Sequence, residues 1–474
     1  MTDLTYMDAL EVSGLLAAGN CSAEELMRAT LVRIEAVNPA LNAIVSLRDA
    51  DALLAEARGA DGQERRGWLH GVPIAVKDLA NAEGFATSRG STLFAGEVAA
   101  GDDIHIARLR AAGAIVIGKT NTPEFGLGSH TFNPVFGATQ NPYGAGFTCG
   151  GSSGGAAVAL AAGLISVADG SDMMGSLRNP AGWNNVYGMR PSWGLVPSEP
   201  AGDMFTHSLA TNGPMARSPR DLAALLDVMA GPDARQPHGR AQADCLPQIA
   251  ADVTQRRIGW LGDWGGAYAF EPGISALAET AMGQFEDIGC RVEALAPPFA
   301  REALWDSWTG LRSFSTASRL RPLYENPEHR GHLKDTAQWE VTRGLEMTAL
   351  EVDLLGTIRS DWFAAAAALF DTYDVLALPT AQVWPFPIDI DYPRQIAGQT
   401  MDTYHRWMEA VIPASLIGLP VVAVPIGFGG PNDMPMGLQL IGRLGSDAAL
   451  LQMAEAWHQA TNWPKARRPD LGPV

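Results

Sequence analysis

Two serine-bearing turns contain residues that could do chemistry together. Residues 150–155 are Gly-Gly-Ser-Ser-Gly-Gly, and glycine allows a positive φ and a close approach of the backbone to a ligand. The small residues 156–163 predict a tightly packed helix whose N-terminal amides point back into this turn. A short apolar segment then leads to a second turn, residues 170–176. One helix and one strand therefore separate Ser152 from Ser176, and we expect the two hydroxyls to face each other across one pocket.

Lys77 is the third candidate, because it ends a predicted buried strand over residues 71–78. Alternation along a strand places Lys77 on the same face as Ala75 and sends Asp78 to the opposite face. An amine on an apolar face loses hydration, which lowers its pKa toward the range in which it can act as a base. The alternative interpretation is a surface lysine paired with a carboxylate.

Other interpretations of residues 150–155 remain open on local sequence. The segment could be a flexible surface loop. A phosphate-binding loop would need a Lys-Ser or Lys-Thr pair after the glycines, which this sequence lacks. Residues 151–155 also match the G-x-S-x-G pattern with Ser153 at its centre. That pattern follows a strand, whereas residues 141–146 predict turn and loop, so Ser153 is not predicted to be a nucleophile.

Bulk composition narrows the class of protein. The 474 residues are 47% hydrophobic, enough for a large core. A net charge of −18 argues against binding to nucleic acid or to an anionic membrane. The four cysteines are scattered, without the spacing of a zinc site or a disulfide framework. The acidic N-terminus is unlike a signal peptide and no apolar run reaches about 18 residues, so we expect a cytoplasmic protein with reduced thiols.

The elements that position the candidates alternate between helix and strand, which predicts an α/β fold with a parallel component. A capping box at residues 22–25 predicts a helix that Asn38-Pro39 stops. Residues 59–67 are a polar linker. The helical segment 301–363 carries five aromatic residues at helical spacing, which more often form core than a ligand site. The helices are predicted at 49–58, 104–110, 221–229 and 448–461, and the strands at 114–121, 258–260, 373–378 and 421–425; the five aromatics are Trp305, Trp308, Phe314, Trp339 and Trp362.

With Lys77, the turn at residues 150–155 and Gly175-Ser176-Leu177-Arg178 considered together, the chain resembles the amidase signature family of serine hydrolases. The resemblance implies an α/β fold with a large mixed β-sheet surrounded by α-helices. It also implies one large amidase domain, residues 1–474, with an N-terminal helical segment at 1–66 and a variable helical segment at 301–363 near the substrate site. Further matches in order along the chain are at residues 118–121, 136–139, 212–217, 373–376, 379–380 and 437–442.

The resemblance also assigns roles to individual residues. Lys77 corresponds to the base, Ser152 to a proton-relaying serine in a cis peptide, and Ser176 to the nucleophile. It assigns the oxyanion hole to backbone amides just before the nucleophile, and a nearby turn to substrate contact. We further expect Asp172 and Arg178 to position the loop by pairing with each other, because a charge close to a buried lysine must be compensated. The oxyanion residues are Met173, Met174 and Gly175, the substrate-contacting residues Gly126, Leu127, Gly128 and Ser129, and the supporting residues Asp172, Arg178 and Ser153. Neither a metal nor a cofactor is expected.

The sequence departs from the family pattern at the oxyanion segment. The family usually has Asp-Thr-Gly-Gly-Ser there, whereas this chain has Met173 and Met174 before Gly175. A methionine in place of glycine limits φ and brings a flexible apolar side chain to the pocket. Residues 182–185, Gly-Trp-Asn-Asn, also differ from the family's small, cysteine-containing stretch.

The expected function is hydrolysis of a small neutral amide through an acyl-enzyme on Ser176. An aryl or hydrophobic amide is favoured, and a carbamate or an ester presents the same carbonyl. We expect a monomer or a homodimer whose only other partner is this substrate. The first alternative is an amidotransferase A-like subunit that releases ammonia from glutamine. The second, indicated by Met173 and Met174, is a catalytically inactive relative that binds a ligand.

Overall fold

The structure is a computed structural model that describes residues 3–206 and 208–472. The helices are α1 Ala9–Ala17, α2 Ala23–Leu41, α3 Ala50–Asp61, α4 Ile104–Ala111, α5 Gly154–Ala161, α6 Arg178–Trp183, α7 Pro219–Met229, α8 Ile274–Asp287, α9 Arg301–Glu325, α10 Pro327–Arg330, α11 Asp335–Glu346, α12 Ala349–Leu369, α13 Ile412–Leu416, α14 Asp447–Thr461 and α15 Trp463–Ala466. Short 3₁₀ turns lie at Leu4–Tyr6, Thr92–Phe94, Glu124–Gly126, Leu246–Gln248 and Arg406–Val411.

The strands are β1 Ile44–Val45, β2 Pro73–Lys77, β3 Ile115–Thr120, β4 Phe132–Asn133, β5 Gly137–Ala138, β6 Gln140–Asn141, β7 Gly144–Thr148, β8 Val167–Asp172, β9 Tyr187–Arg190, β10 Thr211–Ala216, β11 Arg257–Trp260, β12 Arg291–Ala294, β13 Val375–Pro379, β14 Gln395–Ile396, β15 Gln399–Thr400, β16 Val421–Gly429 and β17 Met434–Gly442.

Within the described residues, eight strands form the main sheet in the order β12-β11-β13-β17-β16-β9-β10-β8. Strand β11 is parallel to β12 and β13, and the remaining pairs are antiparallel. The sheet is therefore mixed, and helices surround it. The predicted α/β class, with a large mixed sheet in a single domain, is confirmed.

A second sheet of three strands, in the order β1-β3-β2, carries Lys77. Strands β2 and β3 are parallel, as the alternation of helix and strand predicts. The backbone N–H of Lys77 donates to the carboxylate of Asp169 in β8 at 2.9 Å. This bond joins the small sheet to the edge of the main sheet and brings the strand of Lys77 beside the strand that precedes Ser176.

Local signals set most helix boundaries. At the start of α2 the Ser22 hydroxyl accepts from the Glu25 N–H at 3.0 Å, and the Glu25 carboxylate accepts from the Ser22 N–H at 2.8 Å. The predicted stop at Pro39 is wrong, because α2 continues to Leu41. Proline there removes only one intrahelical bond in the last turn, and Asn42 closes the helix in the left-handed conformation with φ 53°.

Three other predictions about the serine turns need correction. Residues 150–155 are not a flexible surface loop, since all six are buried. Gly170, Ser171 and Asp172 belong to β8 rather than to a turn, because they pair with β10. Residues 144–148 form β7 instead of loop, paired with the short strand β6. Pairing with the distant strand β10 stabilises residues 170–172, whose local preference is for a turn, whereas β7 pairs with the adjacent β6 and bridges Pro387 through Phe147.

The helical segment 301–363 packs against the rest of the molecule at two separate apolar clusters. Trp305, Trp308 and Trp362 are buried in the main core, whereas Phe314 and Trp339 remain 37% and 39% exposed. A separate cluster formed by α9, α11 and Leu333, two residues before α11, packs around Leu127. Its buried members are Leu127, Ala317, Leu320, Leu333, Ala337 and Val341. The segment therefore lies against the turn that contains Leu127.

The four cysteines are all buried and free. Among residues 3–206 and 208–472, the structure contains no helix with the length and apolar character needed to cross a membrane.

Close backbone packing at the N-terminus of α5 yields a stability prediction. A methyl carbon at Gly155 would lie 2.7 Å from the carbonyl oxygen of Ala43 and closer still to the amide nitrogen of Asn121. Because both are backbone atoms, Gly155→Ala should lower the free energy of unfolding by about 1–3 kcal/mol.

The matched control is Gly14→Ala in α1, where nothing lies within 4 Å of the added carbon. That change should raise the free energy of unfolding by about 0.5–1 kcal/mol. Thermal and urea denaturation of both variants measure the difference. A Gly155→Ala variant as stable as the wild type would contradict the packing described here.

Candidate active site

Four serine oxygens surround the amine of Lys77. Lys77 Nζ donates to Ser152 Oγ at 2.9 Å and to Ser153 Oγ at 2.8 Å. It also lies 3.1 Å from Ser171 Oγ and 3.3 Å from the Ser171 carbonyl oxygen. Lys77 is 1% exposed, so the surface ion pair considered from the sequence is excluded.

Burial sets the protonation of this amine. Removal from water lowers the pKa of Lys77 to about 7, although the carboxylates of Asp169 and Asp172 act in the opposite direction. None of the described residues places a carboxylate oxygen within 4.0 Å of Nζ. Lys77 is therefore present in both protonation states near neutral pH, and its neutral form can accept a proton.

The two serine turns meet at the Lys77 amine. Gly151 and Ser152 are joined by a cis peptide bond. The N–H of Ser153 donates to the carbonyl oxygen of Ser176 at 3.2 Å, which brings the two turns into direct backbone contact. Ser176 is 6% exposed, and its hydroxyl makes no hydrogen bond to any residue that the structure describes. The Ser176 hydroxyl is thus not committed to another group of the described chain.

Asp172 holds the loop that carries Ser176. Its carboxylate accepts two hydrogen bonds from Arg178, at 2.9 and 3.0 Å, and one from Arg190 at 3.3 Å. The backbone N–H groups of Gly175 and Leu177 also donate to it, both at 3.0 Å. The sequence-predicted pairing of Asp172 with Arg178 is present, and Arg190 is a further partner.

The charges around Asp172 stabilise its ionised form. Burial alone would raise the pKa of Asp172, but the guanidinium groups of Arg178 and Arg190 outweigh it and hold the pKa well below its ordinary value. The resulting stabilisation is present above the ordinary aspartate pKa and is lost only as the pH falls below it toward the depressed folded value. Arg178 also donates to the Val411 carbonyl at 2.9 Å, which ties the loop to the 3₁₀ turn before α13.

The amides predicted to form an oxyanion hole are not equivalent. Gly175 has φ +81°, a conformation that favours glycine, and its N–H is bonded to Asp172. Of the three amides predicted to form the oxyanion hole, that of Gly175 is therefore committed to Asp172 in this structure. The N–H groups of Met173, Met174 and Ser176 make no hydrogen bond within the described parts of the chain. Neither methionine has a positive φ, so the backbone accommodates both without strain.

Sequence reasoning missed several groups that shape this centre. Ser171 and Asp169 contact Lys77 because β8 lies beside β2, a contact between distant segments. Alternation along 167–172, recognised as a strand, would have placed both side chains on one face. Arg190 carries no local signal. Ser153 lies beside Lys77, whose amine donates to its hydroxyl. Strand β7 ends at Thr148, just before this turn, so the absence of a preceding strand is not a reason to exclude Ser153 as a nucleophile.

A cavity of about 340 Å³ adjoins the cis-peptide turn. Its wall includes three of the four predicted substrate-contacting residues, Leu127, Gly128 and Ser129. The fourth, Gly126, does not line it, but a methyl carbon there would lie 3.4 Å from Ser152 Oγ. The remaining lining residues are His130, Phe132, Lys334, Asp335, Thr336, Asp391, Tyr392, Tyr404 and Trp407. The aromatic lining comes from these residues and not from the tryptophans of α9 and α12.

Ser129 and His130, two polar residues of the cavity wall, are already hydrogen-bonded to other protein groups. Ser129 Oγ bonds Gly151 O and Asn179 Oδ1, each at 2.7 Å. Both ring nitrogens of His130 are bonded, to Thr148 Oγ1 and to Ile388 O, each at 2.9 Å. His130 thus has a structural role in this wall. Among the described residues, no group of three or more His, Cys, Asp or Glu side chains could hold a metal ion.

The helical segment also contacts the oxyanion loop directly. Arg312 in α9 donates to the sulfur of Met173 at 3.3 Å and to Tyr404 Oη at 2.8 Å. Its Nε donates to Glu340 at 2.7 Å. This network holds the Met173 side chain against α9.

Comparison with known proteins gives one family. The sequence model of the amidase family matches residues 25–451. An acylamidase from Rhodococcus erythropolis is 32% identical, covering 99% of this chain and 98% of that protein. A glutamyl-tRNA(Gln) amidotransferase subunit from Chloroflexus aggregans is also 32% identical, covering 99% of each. The crystal structure of a bacterial aryl acylamidase of the amidase signature family superimposes with a TM-score of 0.91 at 27% identity, covering 99% of each chain.

Asp172 provides a test of the loop's architecture. Asp172→Asn keeps the shape of the side chain but leaves two buried arginines without a counter-charge, which should cost about 3–5 kcal/mol of the free energy of unfolding. Thermal denaturation at neutral pH measures this change.

The matched control is Asp433→Asn, which removes an exposed ion pair with Arg467. Exposed pairs contribute little, so this variant should unfold at the wild-type temperature. If the two variants were equally stable, Asp172 would not be the centre of the buried network.

Proposed function

The chain belongs to the amidase signature family and is an amide-hydrolysing enzyme, and we propose that it cleaves aryl or hydrophobic amides through an acyl-enzyme on Ser176. The observation that carries the proposal is the 2.9 Å contact between Lys77 Nζ and Ser152 Oγ in a buried site. This contact links a base of lowered pKa to a hydroxyl in the turn that touches the Ser176 backbone.

The first half of the proposed reaction forms the acyl-enzyme. Ser176 Oγ attacks the amide carbonyl carbon while its proton passes to Ser152 Oγ, and the Ser152 proton passes to the neutral amine of Lys77. The protons then return in reverse order to the leaving nitrogen as the C–N bond breaks. An amine and an ester of Ser176 result.

Water completes the reaction by the same relay. It attacks the acyl carbon, Lys77 and Ser152 accept its proton, and the proton returns to Ser176 as the carboxylic acid leaves. During both halves, negative charge develops on the carbonyl oxygen. The unpartnered N–H groups of Met173, Met174 and Ser176 are available to stabilise it, whereas the N–H of Gly175 is committed to Asp172.

The substrate preference rests on the cavity beside the serine turn. Phe132, Tyr392, Tyr404 and Trp407 provide aromatic surface there, and contact with a ring favours an aromatic over a small aliphatic amide. The activities of two similar proteins, an acylamidase and an aryl acylamidase, agree with this preference. A carbamate or an ester with the same ring would reach the same nucleophile.

An amidotransferase A-like activity is the second candidate, because a protein of that kind is as similar in sequence as the acylamidase. Its substrate would be glutamine, a small zwitterion. The aromatic cavity supports the aryl amide over glutamine. An inactive ligand-binding protein is the third interpretation. A fluorophosphonate probe that labels the wild type but not Ser176→Ala would exclude it.

The base role of Lys77 predicts a pH dependence. Activity requires the neutral amine, so kcat/KM for an anilide should rise with pH along one limb with an apparent pKa of about 7. Lys77→Ala should lower kcat at least about 10³-fold. Lys77→Arg should be as inactive, because a guanidinium stays protonated and cannot accept the Ser152 proton.

The control is Lys465→Arg at the surface, which should retain the wild-type rate and pH profile. Circular dichroism establishes that each variant is folded. A folded Lys77→Arg enzyme with near wild-type kcat, or a pH profile without the limb near 7, would refute the relay.

The aromatic cavity predicts the rank order of substrates. Burial of one ring contributes about 1–3 kcal/mol, so acetanilide should exceed acetamide and glutamine in kcat/KM by roughly tenfold to a hundredfold. Initial rates with the three amides, measured at one pH, provide the comparison. Equal or faster release of ammonia from glutamine would instead support the amidotransferase-like activity, above all if a partner protein stimulated it.

A further inference from the structure

The cavity beside the serine turn contains a lysine that the proposed chemistry does not use. Lys334 precedes α11, and its ammonium donates to the carbonyl oxygen of Leu127. Its backbone N–H donates to Glu124 Oε2 at 3.0 Å. Both bonds fix Lys334 to the turn that borders Ser152. The chain has only four lysines, and two of them, Lys77 and Lys119, are fully buried.

The ammonium of Lys334 has no counter-ion in contact. Across the described residues, no carboxylate oxygen lies within 4.0 Å of its Nζ, and its acceptor is a neutral carbonyl. An ammonium has three N–H donors, so two remain available. Burial lowers the pKa of Lys334 to about 8, although Glu124 acts in the opposite direction, and at pH 7 the group is mostly charged.

The other polar groups that line the cavity are hydrogen-bonded within the protein or exposed to solvent. The Tyr404 hydroxyl donates to Glu340 at 2.8 Å and accepts from Arg312, and Ser129 and His130 are bonded as described above. Asp335 and Asp391 also line the cavity and are solvent-exposed; neither carboxylate lies within 4.0 Å of the Lys334 ammonium, although the Asp391 charge acts on it over a longer distance. Among the described lining residues, Lys334 is therefore the cation available to a bound molecule.

We propose that Lys334 determines specificity by binding a carboxylate on the ring of an aryl amide substrate. This inference rests on the proposed function, because it names the class of amide that the same site accepts. The ring would pack against Phe132 and Trp407 while its carboxylate accepts from the Lys334 ammonium. A charge-assisted bond formed in a partly desolvated cavity is stronger than one in water.

The test compares two amides that differ in one group. In 4-acetamidobenzoate the ring carries a carboxylate, and in 4-methylacetanilide it carries a methyl group of similar size. The wild type should prefer the carboxylate in kcat/KM. Lys334→Gln keeps an N–H donor for the Leu127 carbonyl but removes the charge, and should reduce the ratio of the two kcat/KM values about tenfold to a hundredfold. Lys334→Arg keeps the charge and should retain most of the preference.

Lys465→Met removes a charge outside the cavity and should leave the ratio unchanged. An unchanged ratio in Lys334→Gln overturns the inference. So does faster turnover of glutamine than of 4-acetamidobenzoate, since the carboxylate of an amino acid would then be the ligand.

Binding separates this inference from the proposed catalysis. Calorimetric titration of 4-acetamidobenzoate into Ser176→Ala, with and without Lys334→Gln, needs no turnover. The second change should raise Kd at least about tenfold for the carboxylate and leave 4-methylacetanilide unaffected. Equal Kd values overturn the role of Lys334. Charge-dependent binding without hydrolysis of either amide by the wild type would reject the proposed function alone.

Discussion

Lys77 lies in the interior with four serine oxygens around its amine and no carboxylate of the described chain in direct contact. Asp172, at the end of the neighbouring strand β8, is equally buried but is held between two arginines. Burial disfavours the charged form of both groups. It lowers the pKa of the Lys77 amine to about 7, whereas the guanidinium groups of Arg178 and Arg190 outweigh it at Asp172 and keep that carboxylate ionised. The close backbone packing at the start of α5 and the pairing of β8 with β10 hold the two serine turns in this arrangement.

The local part of this arrangement is predictable from sequence. Strand alternation is sufficient to place Lys77 on an apolar face, and the capping box at Ser22 defines where α2 begins. The family resemblance, carried by short motifs in a fixed order, implies the mixed sheet. The exceptions arise where tertiary contacts override local preference. Pro39 stays inside a helix. Residues 170–172 form a strand because the distant β10 pairs with them, and residues 144–148 form a strand through the adjacent β6 and a bridge to Pro387.

The parts that depend on distant contacts are not predictable in this way. Ser171 and Asp169 reach Lys77 through the packing of one sheet against the edge of another. The engagement of the Gly175 amide follows from the position of the Asp172 carboxylate, which depends on Arg178 and Arg190. The cavity is assembled from four separate stretches of the chain. Aromatic spacing in one helix carries no information about which rings meet there, and the buried tryptophans of 301–363 pack in the core instead.

The division of the chain between chemistry and recognition has an evolutionary consequence. The proposed relay is drawn from residues 77–176, whereas much of the cavity wall comes from residues 334–336 and 391–407. Side-chain contacts such as that of Arg312 with Met173 join α9 to this centre. This separation along the chain allows the wall residues of 334–336 and 391–407 to vary in evolution without a change at Lys77, Ser152 or Ser176.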